Sequence, residues 1–176
     1  MNYELDKKRL LYNQSEDLYF ITYNILLILY HLGCYSKKSE FKDYRKLSFL
    51  ISIISDNMSS ILASDYYDRK NEPNENIIES LNKLYFRSIE NIILIRYVLI
   101  ILEQKGVIEI VGEDNKTNIY LLDYEKYTEF CGSKKFNEEI QNINILKLSI
   151  SKLKMIKYIT FIDKMFKKNG VAVWEI

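Results

Sequence analysis

Apolar positions recur at Ile21, Ile25, Ile28, Leu29 and Leu32, at offsets of 4, 7, 8 and 11 residues from the first, which is the spacing of one face of an α-helix. Leu26 and Leu27 widen that face, so this helix is expected to be mostly buried. Ser15 suits its N-cap, Glu16 and Asp17 place negative charge at its positive end, and Gly33 suits a left-handed stop. After the polar turn Ser36 to Ser39, the positions Tyr44, Leu47, Leu50, Ile51 and Ile54 predict a second helix over Phe41 to Ser55. Two helices joined so closely form a helical hairpin or the start of a helix-turn-helix.

The stretch Ser64 to Asn76 holds the only proline, Pro73, and almost no aliphatic residue, so it is expected to be a surface loop. Helical patterning resumes at Ile77, is expected to break near Tyr85, and continues to Lys105. Apolar residues surround it from Ile92 to Leu102, as in the central helix of a small bundle, and Gly106 ends it. Val107 to Val111, a turn over Gly112 to Lys116, and Thr117 to Leu122 then alternate as a β-hairpin. A lone hairpin is marginal in water and must lie against the helices; helices followed by one packed hairpin describe a winged helix-turn-helix.

From Phe136 to Lys168 there is no Gly or Pro, which predicts one helix extending roughly 50 Å. Ile145, Leu148, Lys152, Met155, Ile159, Ile162 and Phe166 follow alternating steps of 3 and 4 residues, a heptad seam that calls for a partner helix. Lys147, Lys154, Lys157, Lys164 and Lys168 gather on another face of the same wheel. Val171 to Ile176 is expected to form a short terminal strand with the only tryptophan. The fold class is therefore mainly α: a winged-helix-like domain over 1–135 with one β-hairpin, its polar loop at 64–76, and a long C-terminal amphipathic helix plus strand over 136–176.

Composition narrows the chemistry. A chain of 176 residues can bury one core without staples. The two cysteines, Cys34 and Cys131, stand apart from any second thiol or His at metal spacing, and no leader pattern opens the sequence, so a cytoplasmic location is expected. No uncharged apolar run reaches the length of a membrane span, so the chain is expected to be soluble. A net charge of +1 supplies no global field for nucleic acid, and basic surface must be local.

No catalytic constellation is legible. With a single histidine, His31, neither a Ser-His-Asp triad nor a multi-His metal site can be assembled. Asp65, Asp68, Glu72 and Glu75 cluster in the polar loop, where a solvated run is the expectation, and five glycines leave no phosphate-cradling loop. No cofactor is expected. Arg96 is a lone charge in an apolar stretch; its stem packs while its head reaches water or a neighbouring acid, or it pairs with an acid on a partner. The lysine face is the wet side of an amphipathic helix or a track for DNA phosphates. The second helix offers only Lys42, Arg45 and Lys46 for base readout.

The stretches "ITYNILLILYHLG", "DYRKLSFLISIISD" and "RYVLIILEQKGVIEIVGEDNKTNIYLL" together resemble the middle component of bacterial ABC-three-component systems, the group that includes the Lamassu anti-phage middle subunit. Asn24, Leu27, Ile28 and Leu32 fill the family's first-helix pattern, Lys46, Leu47, Phe49 and Leu50 its second, and Leu102, Gly106, Ile108 and Ile110 its helix-to-hairpin junction. The resemblance spans about Ile21 to Leu122 and leaves the segment after Phe136 unmatched. It implies a non-catalytic adaptor between an SMC-like or Rad50-like ATPase and an effector such as a nuclease, similar in role to the winged-helix subunits of SMC complexes. On this expectation Arg96, Ile145, Leu148, Met155, Ile159, Ile162 and Phe166 contact partners, and Lys147, Lys154, Lys157, Lys164 and Lys168 contact DNA backbone. A winged-helix transcription regulator and a small stoichiometric inhibitor of the toxin-antitoxin or phage-encoded kind are the other classes left open.

Overall fold

The computed structural model describes residues 18–68, 72–113 and 116–174; the expected cap at Ser15 with Glu16 and Asp17 lies outside them. Helix α1, Leu18–His31, buries eight side chains between Phe20 and Leu29. It ends as its spacing predicts, with Gly33 at a φ of +68° and the Cys34 N–H bonded to the Leu29 carbonyl, a turn that a Cβ would strain.

The next segment departs from the expected helix. Phe41 is extended, not helical, and exchanges both backbone hydrogen bonds with Ile119, at 2.8 and 3.0 Å. Its ring is fully buried, and Asp43 turns the chain at a φ of +60° before α2, Lys46–Ile54, begins. The helical spacing of Tyr44 to Ile54 could not reveal that pairing because the partner, Ile119, lies 78 residues away. All nine residues of α2 are buried, which makes it the innermost helix.

Helix α3, Asn57–Tyr66, starts at Asp56, whose side chain accepts from the N–H groups of Met58 and Ser59, and extends into the stretch expected to be loop. Helices α4, Glu75–Glu90, and α5, Ile92–Gln104, follow. They part at Asn91, six residues beyond the expected break at Tyr85, which is itself fully buried within α4. The Ser88 hydroxyl donates to the Leu84 carbonyl at 2.7 Å, a back-bond that bends helices. Helix α5 is peripheral, not central: Ile93, Tyr97 and Ile100 form an exposed outer stripe, Ile93 at 82%.

Strands β1, Ile108–Glu113, and β2, Lys116–Leu121, pair antiparallel with Ile110 opposite Ile119. Ile108, Ile119 and Leu121 bury their side chains, while Glu109 and Tyr120 meet on the other face through a 2.6 Å hydrogen bond. The segment 34–44 flanks β2, with the Leu121 N–H donating to the Cys34 carbonyl and the Tyr44 N–H to Thr117. Among the described residues the molecule is thus mainly helical with one two-stranded hairpin, and that hairpin is braced along one edge.

A short helix α6, Thr128–Cys131, leads to α7, Asn137–Ser149, and α8, Tyr158–Met165. The expected single helix from Phe136 to Lys168 is therefore interrupted by eight residues. Lys152 lies at a φ of +56°. The carbonyls of Leu153 and Lys154 accept from the Lys46 ammonium at 3.0 and 3.2 Å, and that of Lys154 also accepts from the Lys42 N–H. Long-range donors have taken acceptors that a continuous helix would need for itself. Residues 171–174 form no strand, and the rest of the expected terminal strand lies outside the described residues.

Candidate interaction surface

Because the C-terminal segment is broken, the heptad seam is dispersed. Leu148 is 89% exposed and Met155 partly exposed, Ile145 is half-buried, and Ile162 and Phe166 belong to the core. Phe166 lies among Phe49, Tyr85 and Phe161, its ring centroid 5.4 Å from that of Phe49 and 5.2 Å from that of Tyr85. Leu148, Met155 and Ile159, the last 77% exposed, keep solvent-facing positions, but on α7, in the interruption and on α8 in turn and not along one helix. Arg96 is exposed on the outer stripe of α5 and forms no ion pair among the described residues.

The five lysines separate as well. Lys147 Nζ donates to the His31 carbonyl and Lys154 Nζ to that of Gly33, each at 2.9 Å, so both close the C-terminal end of α1, where its dipole favours cations. Lys164 and Lys168 share Asp68 at 2.7 and 3.0 Å; those hydrogen bonds, the Lys164 one foremost, hold the Asp68 carboxyl below its ordinary range. Lys157 stands exposed at the start of α8. The residues considered for base readout are occupied: Lys42 pairs with Glu40, Arg45 chelates Asp43 through two bonds of 2.9 and 2.7 Å, and Lys46 is buried.

Other candidate groups have structural partners. His31 donates through Nε2 to the Cys131 carbonyl at 3.0 Å. Burial pushes both thiols up to about 12, against the pull of Lys154 and Lys46 in the case of Cys34; these two lysines are distant in sequence and could not be seen beside the cysteine. Among the described residues no group of three or more His, Cys, Asp or Glu side chains is placed to hold a metal ion. No helix among them is long and apolar enough to cross a membrane.

The structure instead assembles a groove that sequence spacing did not indicate. Its walls are Tyr158, Ile159 and Ile162 of α8 with Val173 and Trp174 of the tail; Arg45, Asp163 and Lys167 stand at its rim, and its volume is about 500 Å³. The tail is fixed there by one hydroxyl: Tyr85 OH accepts from the Trp174 N–H at 2.8 Å and donates to the Trp174 carbonyl at 3.2 Å. The indole is 68% exposed and edges against the exposed ring of Phe86 at 6.4 Å. Opposite, the Arg45 guanidinium lies 4.4 Å from the centroid of the Tyr158 ring. Burial pushes the Tyr158 hydroxyl up to about 12. Phe86, Trp174 and Ile159 thus form one apolar face around a groove. Its legible signs in the sequence are the lone tryptophan of the tail and Ile159 and Ile162, two positions of the expected seam.

Comparison with protein-family models, with curated proteins and with solved structures found no match to this chain.

Proposed function

We propose that this protein is a non-catalytic adaptor, the middle component of a bacterial three-component defence system, joining an SMC-like or Rad50-like ATPase to an effector of the nuclease class. The observation that carries the reading is the apolar face formed by Phe86, Trp174 and Ile159. Large apolar side chains that are contiguous and exposed mark interaction sites more often than scattered ones do, and aromatic residues, Trp foremost, dominate the energy of such sites. The exposed stripe of Ile93, Tyr97 and Ile100 on α5 offers a second surface, as an adaptor with two neighbours requires, with Arg96 beside it to pair with an acid.

The winged-helix arrangement is part of this proposal. Its support is the order of elements: a buried helix, an extended residue at Phe41 that pairs with the hairpin, further helices, then the hairpin itself. The regulator alternative has less support, since Lys42, Arg45 and Lys46 are engaged within the molecule.

Co-expression with the products of its neighbouring genes, followed by affinity purification and native mass measurement, tests the adaptor reading. A stoichiometric complex containing an ATPase is expected. Replacing Met155 and Ile159 by Glu is expected to weaken that complex while the free chain keeps its helical spectrum. A chain that stays solitary beside the ATPase and effector, or that hydrolyses nucleotide or nucleic acid unaided, would overturn the reading.

A further inference from the structure

We propose that the exposed stripe of α5 is covered by a second copy of this chain, the two helices lying antiparallel about a two-fold axis. This rests on reading the stripe as a contact surface and names its occupant.

The stripe is a narrow apolar seam. Ile93, Tyr97 and Ile100 are 82%, 55% and 43% exposed, and with Gln104 they fall within about 60° of one another on the helical wheel, taking 100° per residue. Side chains so grouped leave an apolar face for a partner to cover. Two opposite charges flank it. Arg96 and Glu103, both exposed, stand on the same side of the seam, about 20° apart on the wheel and about 10 Å apart along the helix. Neither has an opposite charge within reach on its own helix: the positions three and four residues from Arg96 are Ile92, Ile93, Leu99 and Ile100, and those from Glu103 are Leu99, Ile100, Gly106 and Val107. Neither forms an ion pair elsewhere among the described residues. Glu103 Oε1 accepts from the Ile110 N–H at 3.2 Å, which holds the carboxylate beside the seam.

A second copy supplies the complement by symmetry. A two-fold axis crossing α5 midway between Tyr97 and Ile100 sets each Tyr97 against Ile100 of the second copy. It keeps each flank on its own side of the pair and brings each Arg96 to within roughly 3 Å, along the helix, of Glu103 of the second copy. One contact then yields two ion pairs. A parallel pair would set Arg96 against the other flank, where Leu94 and Ile101 stand, and match neither charge. A partner of uniform charge would gain at one of the two residues and lose at the other. An unrelated partner would need an acid and a base at the same spacing beside an apolar ridge, and this chain carries that pattern itself.

The contact is small. Ile93, Arg96, Tyr97, Ile100, Glu103 and Gln104 are fewer residues than the roughly 20–30 a side of a standard interface, so the dimer is expected to dissociate with a Kd on the order of tens of micromolar.

Sedimentation velocity of the purified full chain, from about 5 to about 500 μM, brackets that constant. The native chain is expected to pass from monomer to dimer across the range, and Tyr97→Glu to stay monomeric. Arg96→Glu and Glu103→Arg each set like charges opposite one another and should weaken the dimer at least about tenfold. Mixed in equal amounts, these two variants carry complementary stripes and should pair with each other about as tightly as the native chain does. The chain carrying both changes should recover likewise. All three positions are exposed, and circular dichroism verifies that each variant keeps its helices. Recovery on mixing separates lost pairing from a disturbed Glu103 contact to the hairpin, which a second chain could not repair.

A native chain that stays monomeric throughout, a dimer indifferent to the charge reversals, or variants that fail to pair when mixed would overturn the proposal. So would a monomeric native chain whose ATPase complex is lost with Arg96→Glu, which gives α5 to that partner instead. The dimer is measured without ATPase or effector, so its failure leaves the adaptor reading standing if the complex co-purifies. A dimer that recruits neither protein removes the adaptor reading alone.

Discussion

Lys46 has no exposed surface, and its ammonium donates to two carbonyls while lying 4.5 Å from the centroid of the Phe41 ring. Burial draws its pKa from 10.5 down to about 7, with Asp43 pulling the other way. Between those two values the unfolded chain holds a proton that the folded chain tends to release, so folding stability rises as pH rises through that window. Urea unfolding at pH 7.0 and 8.5 is expected to give a higher midpoint at pH 8.5, and Lys46→Met to flatten that difference. An unchanged slope in the variant would show that the ammonium keeps its proton. The cysteines give a second expectation. Cys34 and Cys131 are buried, and their thiols are pushed up to about 12, so iodoacetamide at pH 8 should label neither in the native chain and both in urea. A native Cys131 that reacted readily would mean that α6 opens. These residues could be named from the sequence, but their environments could not, because burial is decided by residues a hundred positions away.

Elements that obey their own sequence formed where their spacing places them. Gly33 and Gly106 stop helices at positive φ, and the hairpin forms where alternating residues place it, although Gly112, Glu113 and Lys116, expected in its turn, pair within the strands. The departures occur where a distant group intervenes. Phe41 is extended because Ile119 bonds it, and the C-terminal segment breaks because Lys46 and Lys42 capture the carbonyls of Leu153 and Lys154. Lys152 makes the break testable. It is exposed with a φ of +56°, a conformation that costs a β-carbon about 1 kcal/mol or more. Lys152→Gly should therefore be neutral to about 1 kcal/mol stabilising in thermal unfolding. In a continuous helix the same change would cost about 1 kcal/mol, so the sign of the shift distinguishes the two.

Leu148 and Phe166 belong to one stripe on a helical wheel, yet Leu148 is nearly bare and Phe166 is sealed among three aromatic rings. Phe166→Ala is expected to cost about 3–5 kcal/mol through lost burial and the cavity it leaves, whereas Leu148→Glu should change stability by less than about 0.5 kcal/mol. Equal losses in chemical denaturation would mean that the stripe acts as one packed seam. The same contrast separates what periodicity can show from what it cannot. An apolar stripe says that a face must be covered; it does not say whether the cover comes from this chain or from another. By itself the sequence determined the helix-rich class, the glycine stops and the hairpin, because these depend on residues a few positions apart and on the 3.6- and 2-residue periods of the backbone. Only the tertiary structure decided that α2 is innermost, that α5 shows an apolar stripe outward, that four of five lysines are held by internal acceptors, and that Trp174 and Ile159 meet across a groove. Each of these depends on which distant groups compete for the same hydrogen bonds and the same buried space, and that competition is settled only when the whole chain is packed.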